Sequence, residues 1–213
     1  MSATTTTLVL VRHGETAWNA EGRVQGQTDV PLNDVGRAQA AALVPALGAE
    51  RFDAMYSSDL LRVRETAQPT ARVLGLDAAL DAGLRERHYG LFETLTYLEC
   101  GERFPAEFER FRAKELDFDF GTGESLRDFN ARSIACVRSI AQRHAGAAVL
   151  VFTHGGVLEM LLREATARGL QSARDFEIPN AAINRFDYAA GAWTLRAWAE
   201  RAHLEAALDD LRD

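Results

Sequence analysis

The sequence predicts an α/β fold, a three-layer sandwich with a mostly parallel central sheet, helices on both faces and a small cap region. Two apolar runs carry that expectation, Leu8-Val9-Leu10-Val11 and Val149-Leu150-Val151-Phe152. Both are too short to cross a bilayer, and their valines suit strands buried on both faces of a parallel sheet. Soon after each run come a histidine and a glycine, at His13-Gly14 and His154-Gly155. A parallel strand delivers the residues after it to the carboxyl edge of the sheet, where α/β proteins bind ligands. The third observation is size: 213 residues suffice for one sizeable α/β domain with its own core.

Composition narrows the function. A hydrophobic fraction of 47% with 26% charged residues is that of a soluble globular protein. The net charge of -7 argues against general nucleic-acid binding, which needs a basic face. It also requires that an anionic substrate be drawn by a local positive pocket. The basic residues are arginines apart from Lys114, which reads as a compositional bias and not as a site. Met1 to Thr7 has no basic stretch followed by an apolar core, so no signal peptide is predicted. Cys100 and Cys136 are too few for a disulfide framework and lack metal-ligand spacing. The expected setting is the cytoplasm, with both thiols reduced.

Along the chain, the first strand ends in Arg12, His13 and Gly14. Arg12 offers a planar, permanently charged fork suited to phosphate oxygens, and neutral His13 can attack phosphorus. On these residues alone, an ordinary hydrogen-bonded loop is an equal reading. Gly22 to Asp29 reads as a polar loop, and Asn33 as the N-cap of a packing helix from Asp34 to about Leu47 that Gly48 stops. A second strand spans Phe52 to Ser57. Ser57 and Ser58 are expected to cap a helix reaching Val73, with Arg62 in its first turn. Arginine is awkward at the positive end of a helix dipole, which either marks an anion site or reflects pairing with Glu65 or Asp59. Pro69 predicts a kink or break in that helix.

Glu86 reads most simply as a loop carboxylate between Arg85 and Arg87. From Leu95 to about Phe120 the chain is aromatic and charged, with Phe104, Phe108 and Phe111 at helical spacing, as expected of a cap lying over a pocket. Ser125 is a plausible N-cap for a long helix to about His144, and Glu124 is an alternative partner for the pocket arginines. Ala147 to Thr153 then repeats the opening logic of strand, imidazole, glycine and helix, through His154-Gly155-Gly156-Val157. Pro179 to Asn184 and the alternating stretch to Trp198 read as a loop and an edge hairpin, and residues 205–213 as a terminal helix or frayed end.

Taken together, these motifs resemble the histidine phosphatase superfamily, also called phosphoglycerate mutase-like. The resemblance rests on Leu10-Val11-Arg12-His13-Gly14-Glu15-Thr16 with Trp18-Asn19, on Ser57-Ser58-Asp59-Leu60 with Arg62 and Glu65-Thr66-Ala67, on Gly123-Glu124-Ser125, and on Thr153-His154-Gly155-Gly156. It covers most of the chain and implies a single domain over residues 1–213, with a cap insertion at about 92–123. It implies that His13 becomes phosphohistidine, that Arg12 and Arg62 bind phosphate, and that His154 stabilises the transferring group. Glu86 is then the proton donor and acceptor, and Asn19, Gln25, Gly26 and Gly155 border the phosphate. No metal and no cofactor are expected, since arginines supply the positive charge.

One departure stands out: Thr94 occupies a position where the family usually has glycine. Either the turn differs there, or the position never needed a left-handed backbone. The favoured function is a metal-independent phosphomonoesterase acting on a small phosphorylated metabolite, as monomer or homodimer, without nucleic-acid or membrane partners. The alternative is a cofactor-dependent phosphoglycerate mutase. Against it, residues 95–125 lack a paired-arginine motif, Arg110 and Arg112 being separated by Phe111. A non-catalytic binding module is disfavoured because no core residue is replaced. The alcohol half of the substrate cannot be read from the sequence.

Overall fold

The computed structural model describes residues 4–209. Strands β1 (Thr6–Arg12), β2 (Ala54–Ser57), β3 (Ala78–Leu80), β4 (Ala148–Thr153), β5 (Ile183–Ala189) and β6 (Ala192–Glu200) form one sheet in the order β3-β2-β4-β1-β5-β6. The first four are mutually parallel, β5 runs antiparallel to β1, and β6 closes a hairpin with β5. The mostly parallel sheet and the edge hairpin both agree with the sequence reading. The helices are α1 (Ala17–Ala20), α2 (Asp34–Leu47), α3 (Leu61–Leu74), α4 (Tyr97–Arg103), α5 (Pro105–Arg112), α6 (Leu126–Arg143), α7 (Gly155–Ala165) and α8 (Ala202–Asp209). Residues 210–213 of the predicted terminal segment lie outside the described residues.

The three layers follow from strand periodicity. Side chains alternate faces along a strand, so Leu8 and Leu10 of β1 join Val149 and Val151 of β4 under α6 and α7. Val9 and Val11 point the other way, with Leu150 and Phe152, and pack under α2, α3 and α8. All eight side chains are at most 1% exposed, which explains why neither strand shows polar alternation. The helix after β1 therefore covers one face and the helix after β4 the other. Where adjacent strands send their helices to opposite faces, a crevice opens at their carboxyl ends. That crevice lies between β1 and β4.

Two local expectations fail. The serines do not cap α3: its N-cap is Leu60, without a side-chain bond, and Ser58 is turned instead towards His154. Pro69 does not break α3, which runs unbroken to Leu74. Its face carrying Val63 and Ala67 is buried in the core, and that packing outweighs the roughly 3 kcal/mol that proline costs a helix interior. By contrast Asn33 caps α2 by accepting from Gly36, and Ser125 caps α6 by accepting from Asp128. Between the two halves of the fold, Phe92, Leu95, Cys100, Phe118 and Phe120 form a third apolar cluster with Val24, supported by Phe104, Phe108 and Phe111.

Candidate active site

Because Arg12 of β1 lies level with Thr153 of β4, the residues next in each chain segment, His13 and His154, leave the sheet side by side. Their ring centroids are 5.3 Å apart, at an interplanar angle of 62°. Arg62 enters the same space from the first turn of α3 and is only 1% exposed. The four residues predicted to form the centre are thus brought together.

Hydrogen bonds fix both imidazoles. His13 Nδ1 lies 2.7 Å from the Gly14 carbonyl, which only accepts, so Nδ1 carries the proton and Nε2 keeps a free lone pair. Arg62 Nη2 lies 3.2 Å from His154 Nδ1, and a guanidinium only donates. His154 Nδ1 is therefore bare, and its Nε2–H donates to Ser58 Oγ at 2.9 Å. Burial, reinforced by the charges of Arg62 and Arg12, holds His13 well below the usual histidine value of 6.5. Burial does the same to His154, again helped by Arg62. Both rings are neutral at pH 7.

The arginines remain cations. Burial pulls Arg12 and Arg62 down to about 10, opposed chiefly by the negative charge of Glu86. Arg62 donates to the carbonyls of Thr28 (3.0 Å) and Gly26 (2.7 Å), and Arg12 to that of Ile178. Yet the Nε of each arginine, like Gln25 Oε1, is buried without a hydrogen-bond partner among the described residues. Buried donors on charged groups seldom go unpaired. Two guanidinium groups lining one cleft are the chemistry of an anion site.

That cleft has a volume of about 190 Å³ and is bordered by Arg12, His13, Asn19, Gln25, Gly26, Arg62, Glu86 and Gly155. His154 lies behind the wall, in contact with Arg62 and Ser58. Asn19 sits in a capping box with Thr16, its Oδ1 taken up by Thr16 and Asn180. Glu86 accepts from the backbone N–H of Arg87 through Oε1 (2.8 Å) and from that of Gly156 through Oε2 (2.9 Å). A Cβ on Gly156 would stand 2.0 Å from Glu86 Oε1 and 2.9 Å from the Phe129 ring, so any larger residue would displace the carboxylate from this position. A larger groove of about 840 Å³ beside α3 and β3 contains none of the predicted site residues.

Other expectations are corrected here. Glu124 does not answer the pocket arginines: it forms an ion pair with Arg132 and accepts from His88 N–H. Thr94 does take the left-handed conformation, at φ +75°, so threonine stands where the backbone demands what glycine does easily. Glu93, in sequence only a fallback for the acid, has another role: its carboxylate accepts from Gln27 N, Thr28 N, Thr28 Oγ1 and Tyr89 N and ties the loop after α1 to the segment after Glu86. Sequence reasoning missed Asn180, whose Nδ2 donates to the His13 carbonyl. It also missed Tyr89, Tyr97, Glu159 and Arg174, which line both the cleft and an adjoining chamber of about 270 Å³. Only the strand-histidine-glycine arrangement had a local signal; these residues are joined to it by long-range folding.

Comparison with known proteins identifies the family and the fold. A family model described as histidine phosphatase superfamily (branch 1) matches residues 8–201. The chain is 41% identical to phosphoglycerate mutase-like protein 4 of Arabidopsis thaliana, over 93% of this chain and 86% of that one. It is 37% identical to a metal-independent phosphoserine phosphatase of the same plant, over 94% and 84% respectively. Among solved structures, YhfR of Bacillus stearothermophilus superposes with a TM-score of 0.87 at 33% identity, covering 93% of this chain and 99% of that one.

Proposed function

The chain belongs to the histidine phosphatase superfamily, and from that premise we propose that it is a metal-independent phosphomonoesterase that hydrolyses a small phosphorylated metabolite through phosphohistidine at His13. One observation carries the reading: a neutral imidazole with its Nδ1 proton pinned to Gly14 borders a cleft that the buried guanidinium groups of Arg12 and Arg62 also line.

The chemistry runs in two halves. His13 Nε2 forms a bond to phosphorus as the ester oxygen leaves, and Glu86 gives that oxygen a proton. Water then attacks the phosphohistidine, Glu86 takes the water's proton, and His13 departs neutral. Arg12 and Arg62 stabilise charge on the equatorial phosphoryl oxygens. His154 supports the site by accepting from Arg62 Nη2 and so aiming the guanidinium. Residues 92–123 act as a cap, their apolar cluster forming one side of the entrance.

Mutase transfer needs a second, alcohol acceptor held by cap cations. Of the two arginines that could form a paired motif there, Arg110 is bound to Glu115 and Arg112 to Glu109. Hydrolysis is therefore the reading we hold.

The test is trapping of the intermediate. Acid-labile, base-stable phosphate should appear on the wild type and vanish in His13→Ala, whose fold should be retained. Phosphoenzyme persisting in that variant would identify another nucleophile. Activity should also survive EDTA, and a loss restored by Mg²⁺ or Zn²⁺ would remove the metal-free mechanism.

A further inference from the structure

Beyond the phosphate cleft, the chamber of about 270 Å³ is walled on one side by Tyr89, Tyr97 and Phe111. Tyr97 stacks on Phe111 with centroids 6.1 Å apart at 11°, and Tyr89 meets the same ring edge-on. Facing them is Arg174, from the loop between α7 and β5, which borders both spaces. This volume, below that of a drug-sized pocket, suits a leaving group of only a few carbons.

The half-exposed Arg174 lies over the Phe176 ring at 5.7 Å, a contact that leaves its N–H donors open. It makes no hydrogen bond among the described residues, and its one ion-pair contact is Glu159 Oε2 at 3.8 Å. Glu159 is already neutralised: Arg163, 1% exposed, donates to its Oε1 from both Nε (3.0 Å) and Nη2 (2.8 Å). The trio of Arg163, Glu159 and Arg174 thus carries one net positive charge, and it resides on the guanidinium facing the chamber. Lys114, bound to the Ser172 carbonyl, adds a second positive charge at the same wall.

We propose that Arg174 is a specificity-determining residue that binds a carboxylate on the alcohol half of the substrate, so that the preferred substrates are small phosphomonoesters bearing a carboxyl group. A guanidinium presents a planar pair of donors that matches a carboxylate bidentately, and partial exclusion from water by the aromatic wall strengthens the contact. This deepens the phosphomonoesterase reading and rests on it.

Two matched pairs test the idea: 3-phosphoglycerate against glycerol 3-phosphate, and O-phosphoserine against phosphoethanolamine. Within each pair the second compound lacks only the carboxylate or carries a hydroxymethyl in its place. Wild-type kcat/KM should favour the carboxylated member by roughly ten- to a hundredfold, the size of a hydrogen bond to a charged group. Arg174→Ala should erase that preference, and Arg174→Lys should restore part of it, which a merely structural role would not produce. Affinities of the same pairs for the turnover-dead His13→Ala chain, with and without Arg174→Ala, separate binding from chemistry. A preference in binding without turnover of any phosphomonoester would support the Arg174 assignment while the phosphatase reading failed. Equal treatment of both members by the wild type would overturn the assignment. So would an Arg174→Ala loss shared equally by all four esters and by vanadate, which would make Arg174 a third phosphate ligand.

Discussion

Glu86 must both hold and release a proton beside a cleft that contains two permanent cations. In the protein alone its two oxygens accept backbone N–H groups from Arg87 and Gly156, which hold the carboxyl group at the edge of the cleft. A phosphomonoester in that cleft would put its leaving oxygen within reach of this carboxyl group, which is the place for an acid. Glu86→Gln should therefore lower turnover of alkyl phosphates by roughly 10²–10⁴-fold, the usual size of a general-acid contribution. The defect should shrink on an activated aryl phosphate, whose leaving group needs little protonation. Arg62→Ala should lose activity on both esters, because phosphoryl charge must be stabilised whatever leaves. Parallel kcat/KM measurements at one pH decide the matter, and equal Glu86→Gln losses on both esters would show that it is not the acid. Glu93, the nearest other glutamate C-terminal to Glu86 in the chain, would be a poor substitute, since its oxygens already accept four hydrogen bonds that hold the loop around Gln27 and Thr28.

At the scale of elements, α7 begins where the sheet ends, and its second residue is a glycine. Gly156→Ala would drive a methyl group into Glu86 Oε1, moving the acid while leaving His13 and the arginines in place. The expected result is a folded protein that still forms phosphoenzyme from an activated aryl ester but is slow on alkyl phosphates. Loss of phosphoenzyme from both would contradict it. The turn at Thr94 makes a different prediction. A β-branched residue at φ +75° stores strain of order 1–3 kcal/mol, so Thr94→Gly should raise stability in urea by about 1 kcal/mol or slightly more, and an unchanged midpoint would show the turn to be unstrained. The sequence revealed such elements unevenly. Caps at Asn33 and Ser125, and the strands leading to His13 and His154, were legible because their signals are local. The bonds from Ser58 to His154 and from Asn180 to the His13 carbonyl were not, since each spans a large sequence separation that only the sheet order closes. Glu124 illustrates the same limit: its motif was visible, but its partner Arg132 is chosen by the packing of α6.

Across the whole molecule, the sandwich buries two histidines in neutral form between its layers, and that couples folding to pH. His13 is 3% exposed and His154 is fully buried, and both are held well below 6.5 by desolvation and by adjacent guanidinium charge. The unfolded chain binds a proton at each near pH 6.5, whereas the folded chain refuses it, so below that pH the unfolded state carries more protons. Stability is therefore unaffected by these two groups above about pH 6.5 and is lost progressively as the pH falls below it, each histidine adding a slope of up to about 1.4 kcal/mol per pH unit. His13→Asn isolates one share, because its amide can still donate to the Gly14 carbonyl but does not titrate. Urea unfolding of both proteins between pH 5 and pH 8 should give curves that run parallel above pH 7 and diverge below 6.5, the variant losing stability less steeply by about 1.4 kcal/mol per pH unit. Curves that stay parallel down to pH 5 would mean that folded His13 takes up its proton as readily as the unfolded chain. The same depression keeps the nucleophile unprotonated in mild acid, so the acid limb of kcat/KM should lie below pH 6.5 and should not carry the titration of an ordinary histidine.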